Sequence, residues 1–302
     1  MCAECYRTRV IKTGLFEKNQ RRYLPYSFYN KVRNGTYSND APYVYGSLFC
    51  PSVGDTNALP APDSTAPKII NMTDKQELEL KIHLGDGKFT IVKIVNASCR
   101  TELVNAVVRL GNDAAANTNF EKGHVRKMRD LGRMFGFGYN WKNNDFYPTC
   151  RGLDTQGIIK EVAGHVTELL LDHFRSDLLE ILSAENEEGR HPIDIMRLLG
   201  SKIMLSVDLV NSCHLDIFDK SRSVAIWTES IPGSTENWYF ILPYVSFRGS
   251  CGVAIKLFHG CSISWDARVL YHCLTFTSNS QHGHAYGCMF GSCDGSAGSQ
   301  SE

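Results

Sequence analysis

The chain has 302 residues and a mass of 33.8 kDa, with 32 Lys+Arg balanced by 32 Asp+Glu. At 43% hydrophobic and 21% charged residues it carries enough apolar material for a packed core, which excludes global disorder. Zero formal net charge excludes a uniformly basic nucleic-acid coat and leaves room for a local basic patch.

No apolar run approaches the ~20 residues that a transmembrane helix needs, so no membrane partner is expected. Residues 1–7 (MCAECYR) lack the apolar stretch of a secretory signal. The 11 cysteines are scattered and odd in number, and read as reduced thiols in a nuclear or cytoplasmic protein rather than as a disulfide framework.

In chain order, residues 1–35 carry Arg7, Arg9, Lys12, Lys18, Arg21, Arg22, Lys31 and Arg33 against Glu4 and Glu17, with no clear period. They read as a solvated tail or as an arm that touches a polyanion. Residues 34–67 read as loop, because Asn-Gly, Asn-Asp and several prolines interrupt any periodicity. Residues 1–67 are thus a basic, loop-rich N-terminal arm, and one folded domain is expected over 68–293. ELELKIHL at 77–84 alternates polar and apolar residues as a half-buried strand does, Gly85-Asp-Gly turns, and FTIVKIV at 89–95 returns as the second strand of a hairpin. Residues 112–119, small and polar, predict another loop.

Residues 122–142 mix cations with aromatics. They form either a surface strand and loop with inward aromatics, or the lip of a substrate channel. In the second reading Arg126, Arg129, Arg133 and Lys142 neutralise phosphates while Tyr139 and Trp141 stack on bases. Residues 155–200 predict helices: Ile158, Ile159, Val162, Val166, Leu169 and Leu170 share one face at a 3.6-residue period, Gly189 is a helix stop, and Pro192 opens a short helix through Leu199. His165 and His173 are placed on helix surfaces.

After Gly200 the character changes. Seven short β-branched and aromatic runs begin at Lys202, Ser223, Trp238, Val253, Ser262, Tyr271 and His284, separated by Gly, Pro, Ser and Asn. That density predicts an antiparallel sandwich or small barrel. Residues 294–302 read as a flexible Gly/Ser-rich tail.

The chemistry-bearing segment is DLVNSCHLDIFD at 208–219. In an extended segment His214 and Asp216 point the same way, so an imidazole and a carboxylate can share a metal ion with one further His. That is the two-His-one-carboxylate triad, which leaves positions open on Fe(II). The pair alone is weak, since about 0.6 such pairs are expected by chance in this composition. Its place at the head of a many-stranded region strengthens it. His272, at a strand start, is the favoured second His, ahead of His259, His282 and His284. Rival readings are a β-sandwich with satisfied histidines, and a zinc site using Cys213, Cys273, Cys288 or Cys293. Cys213 and Cys273 flank the candidate ligands and read as packing thiols.

NSCHLD at 211–216, WYFILP at 238–243 and GVAIKLFHGCSISWDARVLYHC at 252–273 resemble the double-stranded β-helix core of Fe(II)/2-oxoglutarate-type dioxygenases, and within them the TET/JBP-like nucleic-acid dioxygenases of algae, other protists and fungi. MFGFGYNWK at 134–142 resembles the strand that such enzymes carry before the core. The resemblance implies an α+β fold with a jelly-roll (cupin-like) core over 201–293 and supporting helices over 155–200. It implies Fe(II) on His214, Asp216 and His272, O2 as oxidant, and oxidation of the methyl group of 5-methylcytosine or thymine in DNA, with the base flipped out to reach the metal. A monomer is expected, in the nucleus rather than the cytoplasm.

One departure concerns the co-substrate. These oxygenases place an Arg shortly after the distal His, to pair with the far carboxylate of 2-oxoglutarate. After His272 this sequence has no Arg or Lys. Lys256, Arg268 or His284 could substitute, with Arg268 beside Asp266 alternatively a surface ion pair. Otherwise the co-substrate is ascorbate, as in one algal branch of the resembled enzymes, where a second acid after the His-x-Asp pair helps to hold it. Asp219 sits at that place, or else is only a turn residue. Other functions left open are hydroxylation of a protein side chain or small molecule, and a non-catalytic β-sandwich binding module.

Overall fold

The structure is a computed structural model. It describes residues 47–49, 68–72, 76–85, 88–116, 131–140, 145–148, 156–187, 202–211, 214–216, 218–247, 250–277 and 283–292. The elements run β1 (Ser47–Phe49), β2 (Lys68–Ile70), β3 (Glu77–Gly85), β4 (Lys88–Asn96), α1 (Thr101–Ala116), β5 (Leu131–Asn140), β6 (Asp145–Pro148), α2 (Gln156–His173), α3 (Arg175–Glu187), β7 (Lys202–Val210), β8 (Ser223–Glu229), β9 (Glu236–Phe247), β10 (Ser250–Lys256), β11 (Cys261–Trp265), β12 (Cys273–Thr277) and β13 (Ala285–Gly291).

From β7 onward the chain shuttles between two facing sheets. One is entirely antiparallel in the order β7-β13-β8-β11. The other runs β12-β9-β10, also antiparallel, and gains the segment around His214 through an isolated antiparallel bridge to His272. This alternation is a jelly roll, the double-stranded β-helix. The first sheet is widened by the β3-β4 hairpin next to β11 and by β5 and β6 next to β7; β2 adds in parallel to β10. Three described helices complete an α+β fold.

β8 shows how sequence positions the layers. All seven of its residues are buried, with no polar face turned to water. Alternate residues serve two cores: Ala225 and Trp227 join the cluster between the sheets, while Val224 and Ile226 join the one beneath the helices. β13 divides the same way, with Ala285 inside the barrel and Tyr286, Cys288 and Phe290 under the helices.

The expected loop at 112–119 is corrected. α1 continues through Ala116, because Leu103, Val104, Val107, Leu110 and Ala114 recur at helical spacing and are all buried. Burying each large member of that face contributes about 1.5–3 kcal/mol, which outweighs the weak helix preference of Asn112 and Asp113. The expected loop at 34–67 is interrupted by β1, which pairs β3 in parallel. The predicted hairpin, the helices at 156–187 and the seven strands are present. The predicted short helix after Pro192, most of the N-terminal arm and the C-terminal tail lie outside the described residues. No described helix is long and apolar enough to cross a membrane.

Candidate metal centre

β7 ends at Val210, and the chain crosses to the opposite sheet. Asn211 clips the crossing: its side-chain Oδ1 accepts from the Leu274 amide at 2.7 Å, and its own amide donates to the Leu274 carbonyl at 3.4 Å. Three residues on, His214 and His272 exchange two backbone hydrogen bonds, each 3.1 Å. The Asp216 amide then donates to the Ala267 carbonyl at 2.9 Å. The segment is therefore held extended by backbone pairing, and His214 and Asp216 emerge on one side of it.

The three predicted ligands converge. His214 Nε2 lies 3.6 Å from Asp216 Oδ1, and His272 Nε2 lies 3.8 Å from Asp216 Oδ2. One ligand atom from each residue falls within 4.8 Å of the other two, and among the described residues this is the one cluster of metal-ligating side chains. His214 and His272 are buried, and Asp216 is half-buried. The spacings exceed a hydrogen bond, yet they bring two imidazole nitrogens and one carboxylate to a common point. This donor set fits a divalent transition metal such as Fe(II).

Surrounding groups orient the ligands. His272 Nδ1 lies 3.0 Å from the Leu270 carbonyl, which can only accept, so the ring proton sits on Nδ1 and the Nε2 lone pair faces Asp216. Phe240 stacks on the His272 ring at 5.7 Å between centroids, and Trp265 meets it edge-on at 5.3 Å. Sequence reading missed Asn211, Phe240 and Trp265 as supports. The available signal was their place within the same strand-forming runs, with no motif of their own.

The other predicted site residues are scattered. Asp219 is 5% exposed, and its Oδ2 accepts from Ser223 Oγ at 2.9 Å. Arg268 donates from Nε and Nη2 to both Asp266 oxygens (2.8 and 2.9 Å), from Nη2 to Glu180 (2.7 Å), and from Nη1 to the Lys220 carbonyl (3.0 Å). The Asp266 hydrogen bonds hold its guanidinium more firmly protonated than usual. Lys256 is exposed at the end of β10. The His284 imidazole Nδ1 lies 2.7 Å from Asp208 Oδ2, and its side chain is 48% exposed. Asp208 has φ 53° where β5 and β7 slip register, a backbone state that Asp tolerates. His259 Nδ1 accepts the Glu229 amide proton at 3.0 Å and stands outside the cluster. Arg133 is half-buried, and its Nη2 donates to the Ala115 carbonyl near the end of α1 at 3.0 Å. Tyr139 falls on β5; Arg126, Arg129, Trp141, Lys142, Cys213 and His282 lie outside the described residues.

Fold and site together define a double-stranded β-helix protein with a His-x-Asp pair and a distal His inside the barrel. No protein-family model matches the chain, and no curated protein matches it. Among solved structures it is similar to NgTET1 in complex with 5mC DNA, at 13% identity over 76% of this chain and 83% of that chain, with a TM-score of 0.45. It is similar to JOX2 in complex with 2OG, Fe and JA, at 10% identity over 87% of this chain and 83% of that one, with a TM-score of 0.38. The Fe(II)/α-ketoglutarate-dependent dioxygenase TqaL matches at 10% identity over 66% and 81%, with a TM-score of 0.31. These are distant likenesses; the jelly-roll strand order stands without them.

Proposed function

We propose that the chain is a mononuclear non-haem Fe(II) dioxygenase with His214, Asp216 and His272 as ligands. The convergence of these three side chains within 4.8 Å inside the barrel carries the reading. Fe(II) held there by His214, Asp216 and His272 would activate O2 for oxidation of a substrate C–H bond, the organic co-substrate providing the two electrons that the C–H bond does not.

The chain's own residues prepare that chemistry. The Leu270 carbonyl fixes His272 in the tautomer that can bind a metal. Phe240 and Trp265 cover the His272 ring and keep water from that side. Half-buried Asp216 leaves the cluster open toward solvent on its own side. For the co-substrate, 2-oxoglutarate or ascorbate, Asp219 is the nearest candidate in sequence, and its carboxylate accepts from Ser223 Oγ. Lys256 and Arg268 have less support, because one is exposed and the other is committed to Asp266 and Glu180.

The substrate we propose is DNA, with the methyl group of 5-methylcytosine or thymine as the oxidised carbon. This finer reading rests on the motif resemblance at 211–216 and 252–273, with Arg126, Arg129, Trp141 and Lys142 as candidate phosphate and base contacts. A nuclear location and a monomeric state are proposed alongside it.

The test is turnover. Protein loaded with Fe(II) without oxygen is given O2 and 5-methylcytosine DNA, with 2-oxoglutarate or ascorbate alone, and the nucleosides are read by mass spectrometry. A new nucleoside in one arm, absent with Asp216→Ala, is expected. Iron uptake without any new nucleoside points to a protein or small-molecule substrate. Absence of iron uptake overturns the dioxygenase reading.

A further inference from the structure

The indole of Trp265 is 2% exposed, and its Nε1 is buried with no hydrogen-bond partner. Buried donors are nearly always paired, so an orphan marks a missing acceptor. This orphan belongs to a ring set among aromatics at the metal cluster: Phe240 at 4.9 Å, His272 at 5.3 Å and Trp227 at 6.2 Å between centroids. A metal-ligand histidine and an unpartnered N–H thus share one wall.

The opposite hydrogen-bonding character lies next to it. Trp265 on β11 pairs in register with Ser223 on β8, so the two side chains stand on the same face of the sheet. Ser223 Oγ donates to the buried Asp219 carboxylate. The wall therefore offers an N–H donor at Trp265 and an acid at Asp219. Two arginines of the same region are already committed, Arg268 to Asp266 and Glu180 and Arg222 to Asp177.

From this we infer that Trp265 Nε1 is the donor of a hydrogen-bonding subsite for a small oxygen-rich acid bound beside the metal, the co-substrate of the proposed reaction. The inference rests on the dioxygenase reading and goes beyond it. It assigns the anchoring of that acid to a neutral indole N–H rather than to an ion pair. A carboxylate or enol oxygen is the matching acceptor, and 2-oxoglutarate and ascorbate each carry one.

Mn(II)-loaded parent protein and Trp265→Phe are titrated calorimetrically with 2-oxoglutarate and, separately, with ascorbate; Mn(II) affinity is measured first. The dissociation constant of whichever acid binds is expected to rise about tenfold in Trp265→Phe, the worth of one hydrogen bond, with both proteins titrated at saturating Mn(II). Unchanged affinity for the acid overturns the subsite. So does a parent that takes up Mn(II) but binds neither acid, whereas a parent that fails to bind metal overturns the dioxygenase reading instead. A second measurement does not depend on that variant folding. The chain has four tryptophans, so the Trp265 indole 15N–1H resonance of Zn(II)-loaded protein can be assigned from Trp→Phe variants at the other three. It should shift on addition of the acid, and a Trp265 resonance that stays fixed at saturation overturns the subsite.

Discussion

His214 and His272 lock each other in place through their backbones, each amide donating to the other's carbonyl at 3.1 Å, while their rings approach to 4.5 Å between centroids. The two imidazoles are thus positioned by strand pairing, and Asp216 follows two residues later on the same side. A ligand set organised before binding loses little freedom when metal enters, so metal should stabilise the fold by mass action. At a free Mn(II) or Fe(II) concentration a hundred times its dissociation constant, the gain is about 2.7 kcal/mol, seen as a rise of several degrees in Tm. Asp216→Ala should remove that rise while leaving the metal-free Tm within about a degree, since Asp216 is half-buried. Differential scanning fluorimetry with and without chelator reads both.

A second buried acid is structural. Asp177, 4% exposed in the first turn of α3, accepts from Arg222 Nε at 2.6 Å and from Ser264 Oγ. Arg222 also donates to Thr90 Oγ1 at 3.1 Å, so the ion pair ties α3 to β4, β8 and β11. Asp177→Ala strands a mostly buried guanidinium and should destabilise the protein by ~3–5 kcal/mol in urea titration. Replacing both partners together, Asp177→Leu with Arg222→Met, should cost markedly less, because no buried charge is then left alone.

The strands were legible because burial on both faces favours β-branched and aromatic runs; β8, buried at all seven positions, carries Val224, Ile226, Trp227 and Thr228. The cluster was legible because His214 and Asp216 sit two apart in an extended segment, a local relationship. What sequence could not display is long-range. α1 looked like a loop at 112–116 because its residues are small and Asn112 and Asp113 are weak helix formers, although three alanines favour helix, and only the β-sheet beneath Val107, Leu110 and Ala114 makes their face worth burying. Arg268 could be read as a free anion partner until Glu180, 88 residues away, closed on its guanidinium. The orphan N–H of Trp265 likewise depends on what the fold leaves out, which no local pattern records.

His259 gives a pH signature. Burial holds its pKa below the ordinary value near 6.5, although the Glu229 charge and the hydrogen bond from the Glu229 amide to Nδ1 push the other way. The folded state therefore resists protonation more than the unfolded chain does. Its contribution is complete above about pH 6.5 and declines as pH falls from there, levelling only below the folded pKa. His259→Asn keeps an acceptor near the Nδ1 position and removes the titration. Urea midpoints between pH 7.5 and 5.5 should fall less steeply in that variant than in the parent, and parallel slopes would rule the contribution out.

Gly111 sets two opposing effects against each other. It lies inside α1, where exchanging Gly for Ala ordinarily stabilises a helix by up to about 1 kcal/mol. Here the new Cβ would stand 2.4 Å from the Tyr286 ring, far inside contact distance. That ring is fully buried under α1, and its hydroxyl, whose pKa burial raises to about 12 with help from the Asp208 charge, donates to Asn112 Oδ1 at 2.6 Å. Neither helix nor ring can move aside without breaking that bond or the packing around it. Overpacking of this kind costs about 1–3 kcal/mol, which exceeds the helix gain. Gly111→Ala should therefore lower the urea midpoint with an unchanged m-value. In a Tyr286→Leu background, itself destabilised, the further effect of Gly111→Ala should shrink toward zero or reverse, because the obstructing ring is gone and the helix preference of Ala then acts unopposed. Equal penalties in the two backgrounds would show that the close approach of α1 to Tyr286 is not what requires glycine at this position.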